Sequence, residues 1–184
     1  MRANNVLGII HSQAFDSTIQ ELTTMRTFAS VPFGCRYRLV DFALSNMVNA
    51  NISNINVVVN YNYRSLLDHI GSGKDWDLAR KDGGVILLPP FSEKNEKMYT
   101  TRLEALSSLT GFLNRRKEKY VVLTDCDGVA KFDIADMIAY HESKNADITL
   151  VTHYGKVGNR SDFLLVDADK EGRIIDLKHS PHVE

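Results

Sequence analysis

Residues 31–46 read Val31-Pro32-Phe33-Gly34-Cys35-Arg36-Tyr37-Arg38-Leu39-Val40-Asp41-Phe42-Ala43-Leu44-Ser45-Asn46. The stretch opens as a turn around Pro32 and Gly34. From Leu39 the spacing becomes helical, and Leu39, Phe42, Ala43 and Met47 fall on one face of a predicted helix over 39–49. Upstream lies Val6-Leu7-Gly8-Ile9-Ile10, a short continuous apolar run of the kind that forms a strand buried on both faces. Downstream, Ile55 to Val59 is a second such run, rich in β-branched residues.

The alternation continues outward. Ser65 to Ile70 suits a short helix that Gly71-Ser72-Gly73 ends. Val85 to Leu88 reads as a strand closed by Pro89-Pro90, and residues 91–98 as a charged loop. Thr101 to Leu113 is predicted helical with Leu103, Leu106 and Leu109 inward. Tyr120 to Leu123 is a strand and Ile134 to His141 a helix. Ile148 to Thr152, Phe163 to Val166 and Arg173 to Leu177 read as three further strands, the last two flanking the turn from Asp167 to Gly172. Strands alternating with helices predict an α/β fold, a mostly parallel sheet with helices on both faces. Ligands of such sheets sit beyond the carboxyl ends of the strands. That gathers Ser12 to Thr27, Asn60 to Tyr63 and Asp125 to Gly128 around one crevice.

The 184 residues fit one domain and can bury a core. A net charge of −1 carries no electrostatic footprint for nucleic acid or an anionic membrane surface. A small anion held by a few cations remains compatible with it. Cys35 and Cys126 lack metal-type spacing and read as buried thiols of a reducing compartment. No stretch approaches the roughly 20 apolar residues of a membrane span, and Val6–Ile10 is too short for a signal peptide, so a cytoplasmic location is expected. Gly71-Ser72-Gly73-Lys74 imitates the end of a P-loop, but lacks its first glycine, has Asp75 where Ser or Thr belongs and follows no strand. The six histidines show no metal-ligand spacing and read mostly as surface or capping groups.

Residues 31–46 resemble VPFGGKYRLIDFALSN, the signature of the glucose-1-phosphate adenylyltransferases, also called ADP-glucose pyrophosphorylases. Other stretches follow in order. Val57 to Leu66 resembles the family's VVTQYKSHSL, Tyr120 to Asp133 its YVVLSGDHIYKMD, and Val166 through Ile175 to Pro181 its VD…KIIEFVEKP. The resemblance implies a Rossmann-like nucleotide-diphospho-sugar transferase domain across 1–184, truncated before the C-terminal β-helix of the family. It also implies a place in glycogen synthesis, where ATP and glucose 1-phosphate give ADP-glucose and pyrophosphate. That chemistry calls for Mg²⁺, cations on the phosphates and close backbone N–H donors.

Several of those parts are altered here. The family's GGxGxRL loop corresponds to His11-Ser12-Gln13-Ala14-Phe15-Asp16-Ser17-Thr18, with neither glycine nor arginine. Its RAKP corresponds to Arg26-Thr27-Phe28-Ala29, so the phosphate lysine is Phe28, while Arg26 remains a candidate nucleotide contact or a surface group. The glutamine that reads adenine is Asn60, either an amide contact to the base or a turn cap. YxGTADA corresponds to Tyr99-Thr100-Thr101-Arg102-Leu103-Glu104-Ala105, where Thr101 and Arg102 block close approach. The sugar-phosphate elements correspond to Ser161-Asp162-Phe163-Leu164 and His179-Ser180-Pro181, with Asp162 for glycine and Ser180 for lysine. Asp127 falls on the catalytic, metal-binding aspartate of SGDH, as its vestige and candidate metal ligand or as a turn cap, and Asp125 adds negative charge beside it. The pattern resembles the GlgD-type regulatory subunit, which pairs with a catalytic GlgC-type subunit. Two alternatives stay open: an active adenylyltransferase with altered phosphate contacts, and a sugar- or effector-binding module.

Overall fold

The computed structural model describes residues 5–12, 19–81, 83–89, 99, 101–155 and 164–179. The chain divides into two compact units, Met1–Ile138 and Ala139–Glu184.

The first unit is built on four parallel strands: β1 Val6–His11, β4 Asn54–Val58, β5 Gly84–Leu88 and β6 Tyr120–Asp125. Their order across the sheet is β5-β4-β1-β6, so the first strand in sequence lies inside and pairs with β4 and β6. All six residues of β1 are buried, as its unbroken apolar run requires. Between β1 and β4 run α1 Gln20–Thr23, a 3₁₀ turn at Phe28–Ser30, the small hairpin β2 Pro32–Phe33 and β3 Tyr37–Arg38, and α2 Leu39–Asn49. Then α3 Arg64–Ile70 follows β4, α4 Arg102–Ser108 and α5 Thr110–Leu113 precede β6, and α6 Ile134–Lys144 begins beyond it.

Two apolar clusters sandwich the sheet. Val6, Ile10, Ile55 and Val57 pack with Val40, Leu44 and Met47 of α2, Leu66 and Ile70 of α3, and Ile134 and Ile138 of α6. Leu7, Ile9, Val58 and Leu88 pack on the other side with Ala105 and Leu109. The alternation of Leu7 and Ile9 against Val6 and Ile10 follows from the period of two along a strand. Helices therefore cover both faces of a parallel sheet, as the sequence predicts.

Three expectations are corrected. The helix expected over 101–113 is two helices. A capping box starts α4, with Glu104 N donating to Thr101 Oγ1 (3.1 Å) and Thr101 N donating to Glu104 Oε2 (3.3 Å). That start turns Ala105 and Leu109 to the sheet and leaves Leu103 exposed. Cys35 is exposed rather than buried, because it sits in the tip of the β2–β3 hairpin; Cys126 is buried.

The third correction lies in the second unit. Residues 148–152 form no strand, and Ile148, Leu150 and Val151 are exposed. An apolar run becomes a strand only when another strand supplies its ladder, and among the described residues none pairs with it. The strands expected near 163–166 and 173–177 do form, as the antiparallel pair β7 Leu164–Ala168 and β8 Ile174–His179. Asp169 organises their turn, since its Oδ1 accepts from Glu171 N and Arg173 N, each at 2.9 Å. The backbone hydrogen bonds, led by that of Arg173, hold its carboxyl below the ordinary range.

Candidate functional site at the strand ends

Parallel pairing brings the carboxyl ends of β4, β1 and β6 to one edge of the sheet. His11 is paired with Val58 on one side and with Asp125 on the other. The backbone of Ser12 extends this edge: Ser12 N donates to Val58 O (3.1 Å), and Ala29 N donates to Ser12 O (3.1 Å). Val59 N donates to Leu88 O (3.0 Å), which carries Asn60 to the same edge. Asn62 Nδ2 donates to Thr24 O (3.0 Å), which ties the residues after β4 to the segment between α1 and the 3₁₀ turn. Ser12, Asn60 and Asp125 thus converge as the sequence predicts.

The edge carries polar atoms that the protein leaves unsatisfied. His11 Nε2, Ser12 Oγ and Asn60 Oδ1 are buried without a hydrogen-bond partner. Such atoms are uncommon in folded proteins, and each costs about 1–3 kcal/mol. Asn60 uses its other amide atom structurally, Nδ2 donating to Tyr99 O at 3.0 Å. One amide atom of Asn60 thus fixes the chain, and its Oδ1 has no hydrogen-bond partner in the protein. His11 is held neutral, since burial, then the charge of Arg102, push its pKa down.

A cation and a carboxylate meet at this edge. Arg102, the first residue of α4, pairs with Asp125, the last of β6, at Nη2–Oδ2 2.6 Å. Asp125 is mostly buried, with 21% of its side chain exposed, whereas Arg102 is 54% exposed. Solvent screening at Arg102 limits the pair to about 1 kcal/mol or less. Burial pushes the Asp125 carboxyl up; Arg102 opposes this and the charge of Asp127 reinforces it.

Asp127 is exposed, two residues past β6. Among the described residues no three His, Cys, Asp or Glu side chains gather as a metal-ligand set. Arg26 is half-buried, three residues past α1. Phe28, at the position of the family's phosphate lysine, packs against the main apolar cluster, and Ala29 beside it is fully buried. The loop 13–18, Asp162 and Ser180 lie outside the described residues.

The long motif from Val31 to Asn46 does its work in the scaffold. Arg38 N donates to Asp41 Oδ2 (3.0 Å) at the start of α2, and Arg38 Nη1 donates to Ser65 O (2.6 Å). Asp41 also meets His69 at 2.6 Å. Asn46 clamps the chain past Asp127: its Nδ2 donates to Ala130 O (2.8 Å) and its Oδ1 accepts from Phe132 N (3.2 Å). The sequence reading missed His11 as a buried polar group and missed the Arg102–Asp125 pair. A histidine directly after a doubly buried strand was the signal for the first. No spacing announces the second, which joins residues on separate elements.

Comparison with known proteins agrees with this geometry. The pattern of the nucleotidyl transferase family matches residues 17–184. The glycogen biosynthesis protein GlgD of Bacillus subtilis (strain 168) is 34% identical over 153 residues, covering 83% of this chain and 45% of the relative. A glucose-1-phosphate adenylyltransferase of Thermotoga neapolitana is 36% identical over 178 residues, covering 96% and 42%. One from Clostridium acetobutylicum is 31% identical over 182 residues, covering 98% and 48%. The chain spans a little under half the length of these relatives. A sheet of four parallel strands between two helical layers, with its polar cluster at the strand ends, is thus found in a chain that belongs to the nucleotidyl transferase family.

Proposed function

We propose that this chain belongs to a GlgD-type regulatory subunit of glucose-1-phosphate adenylyltransferase, acting in glycogen biosynthesis in the cytoplasm beside a catalytic GlgC-type subunit. The observation that carries the reading is Phe28. Where the resemblance calls for a phosphate-binding lysine, a partly buried phenylalanine packs against the apolar core. A phenylalanine packed on apolar side chains offers no charge to a triphosphate. The blocked YxGTADA element and the altered phosphate loop support the same conclusion. In this reading Mg²⁺ serves the reaction at the catalytic subunit, Asp127 is a vestige of the metal position, and Arg26 is a remaining cation beside the cleft.

The test is pyrophosphate release from ATP and glucose 1-phosphate by the full-length protein. Alone it gives none; added to the catalytic subunit it forms a complex and changes the rate. Release by this protein alone, at the rate of a catalytic subunit, overturns the proposal. A second reading, an effector-binding module, is favoured by the unsatisfied His11 Nε2, Ser12 Oγ and Asn60 Oδ1. Calorimetric binding of a nucleotide or sugar phosphate, without any complex with the catalytic subunit, is its distinguishing result.

A further inference from the structure

Arg102 and Asp125 both depart from the motifs that the surrounding residues resemble. Arg102 stands at the threonine of YxGTADA. Counting back from Asp127, Asp125 stands at the serine of SGDH. The two departures are opposite in charge and lie 2.6 Å apart. The guanidinium also acts on His11, so its charge sits over the ends of both β1 and β6. The charge of Asp127, two residues on, acts on the Asp125 carboxylate. Two interacting carboxylates at a strand end would attract a divalent cation. Here one of them already holds a cation supplied by the chain.

We propose that Arg102 is a built-in counter-ion that locks Asp125 and closes the strand-end cleft to divalent metal. The residues as they stand therefore do not fit the Mg²⁺ that the family's reaction uses. An arginine cannot lose its proton and cannot be displaced from the chain, so the cleft carries its cation permanently. The lock deepens the reading of a non-catalytic chain and rests on it. Its test measures metal binding rather than turnover, so the two can fail separately.

The experiment titrates Mn²⁺ into the full-length protein and three variants, Arg102→Thr, Arg102→Lys and Arg102→Thr/Asp125→Asn. Bound metal is followed by electron paramagnetic resonance, and folding by circular dichroism. The parent and Arg102→Lys bind Mn²⁺ weakly at this site. Arg102→Thr binds it at least about tenfold tighter, a fold-change within the usual range for a ligand made available. Adding Asp125→Asn removes the gain. Three results overturn the lock: a folded Arg102→Thr protein within twofold of the parent, a parent that already binds as tightly as Arg102→Thr, or a gain that survives Asp125→Asn. Because Arg102 is half-exposed at the start of a short helix, its removal leaves the core intact.

Discussion

Cys35 adopts φ +74°, a left-handed conformation that a side chain disfavours by about 1–2 kcal/mol. It follows Gly34 at φ +56° in the tip between β2 and β3, where the resembled motif has a second glycine. Glycine adopts this conformation without a Cβ clash but loses more backbone freedom on folding, which offsets about 0.4–1 kcal/mol. Cys35→Gly is therefore expected to stabilise the protein by up to about 1 kcal/mol, read as a higher urea midpoint. Cys35→Ala, still carrying a Cβ, leaves the midpoint near the parent's. A lower midpoint for the glycine variant would show that φ is not what limits this turn. The sequence reading took Cys35 as a buried thiol and did not foresee this conformation, although the motif has Gly-Gly where this chain has Gly-Cys.

The packing of β1 against α2 leaves no room for a side chain at Gly8. A Cβ there would lie 2.5 Å from Met47 Sδ and 3.4 Å from Ile55 Cγ1. Gly8→Ala should cost about 1–3 kcal/mol, the usual penalty for overfilling a packed core. The obstruction is one flexible thioether, so Gly8→Ala with Met47→Val should recover part of the loss in the same denaturation assay. No recovery would mean that the β1 backbone, not Met47, is the rigid element. Elements whose apolar pattern is complete in itself were legible: β1, β4, β6 and α2 match their expected spans to within about two residues. Elements that depend on a neighbour were not. Residues 148–152 have the composition of a strand without a partner strand, and the 101–113 segment is interrupted at Leu109, which leaves the helical backbone conformation (φ −87°, ψ 0°) between the two helices.

At the scale of the whole molecule, the buried neutral His11 couples stability to pH. Its folded pKa lies below the ordinary 6.5. Below that value the unfolded chain takes up a proton that the folded one resists, so stability falls as pH drops through 6.5 towards the folded pKa. Asp125 acts oppositely: its raised pKa favours the fold as pH falls into the carboxylate range. Comparing the parent with His11→Gln separates the two. The variant's unfolding free energy should fall less between pH 7 and about 5.5, since the replacement does not titrate. Parallel curves would show that His11 accepts its proton in the fold. The sheet edge itself was legible, because alternation and parallel pairing dictate where strand ends meet. Its internal charges were not: the same letters fit an open metal site or a filled one, and the choice depends on Arg102 reaching Asp125 across two elements.

The position of β1 sets the timing of folding. It is one of the two inner strands of the sheet, yet β6, which forms one whole side of its ladder, leaves the ribosome some 114 residues later. At about 5–20 residues per second, β1 waits on the order of ten seconds with that side of its backbone unpaired. Pairing so distant in sequence also makes folding slow once synthesis has ended. A strand buried along its whole length in the finished protein thus waits with one side open during synthesis, which gives nascent-chain chaperones a reason to cover it.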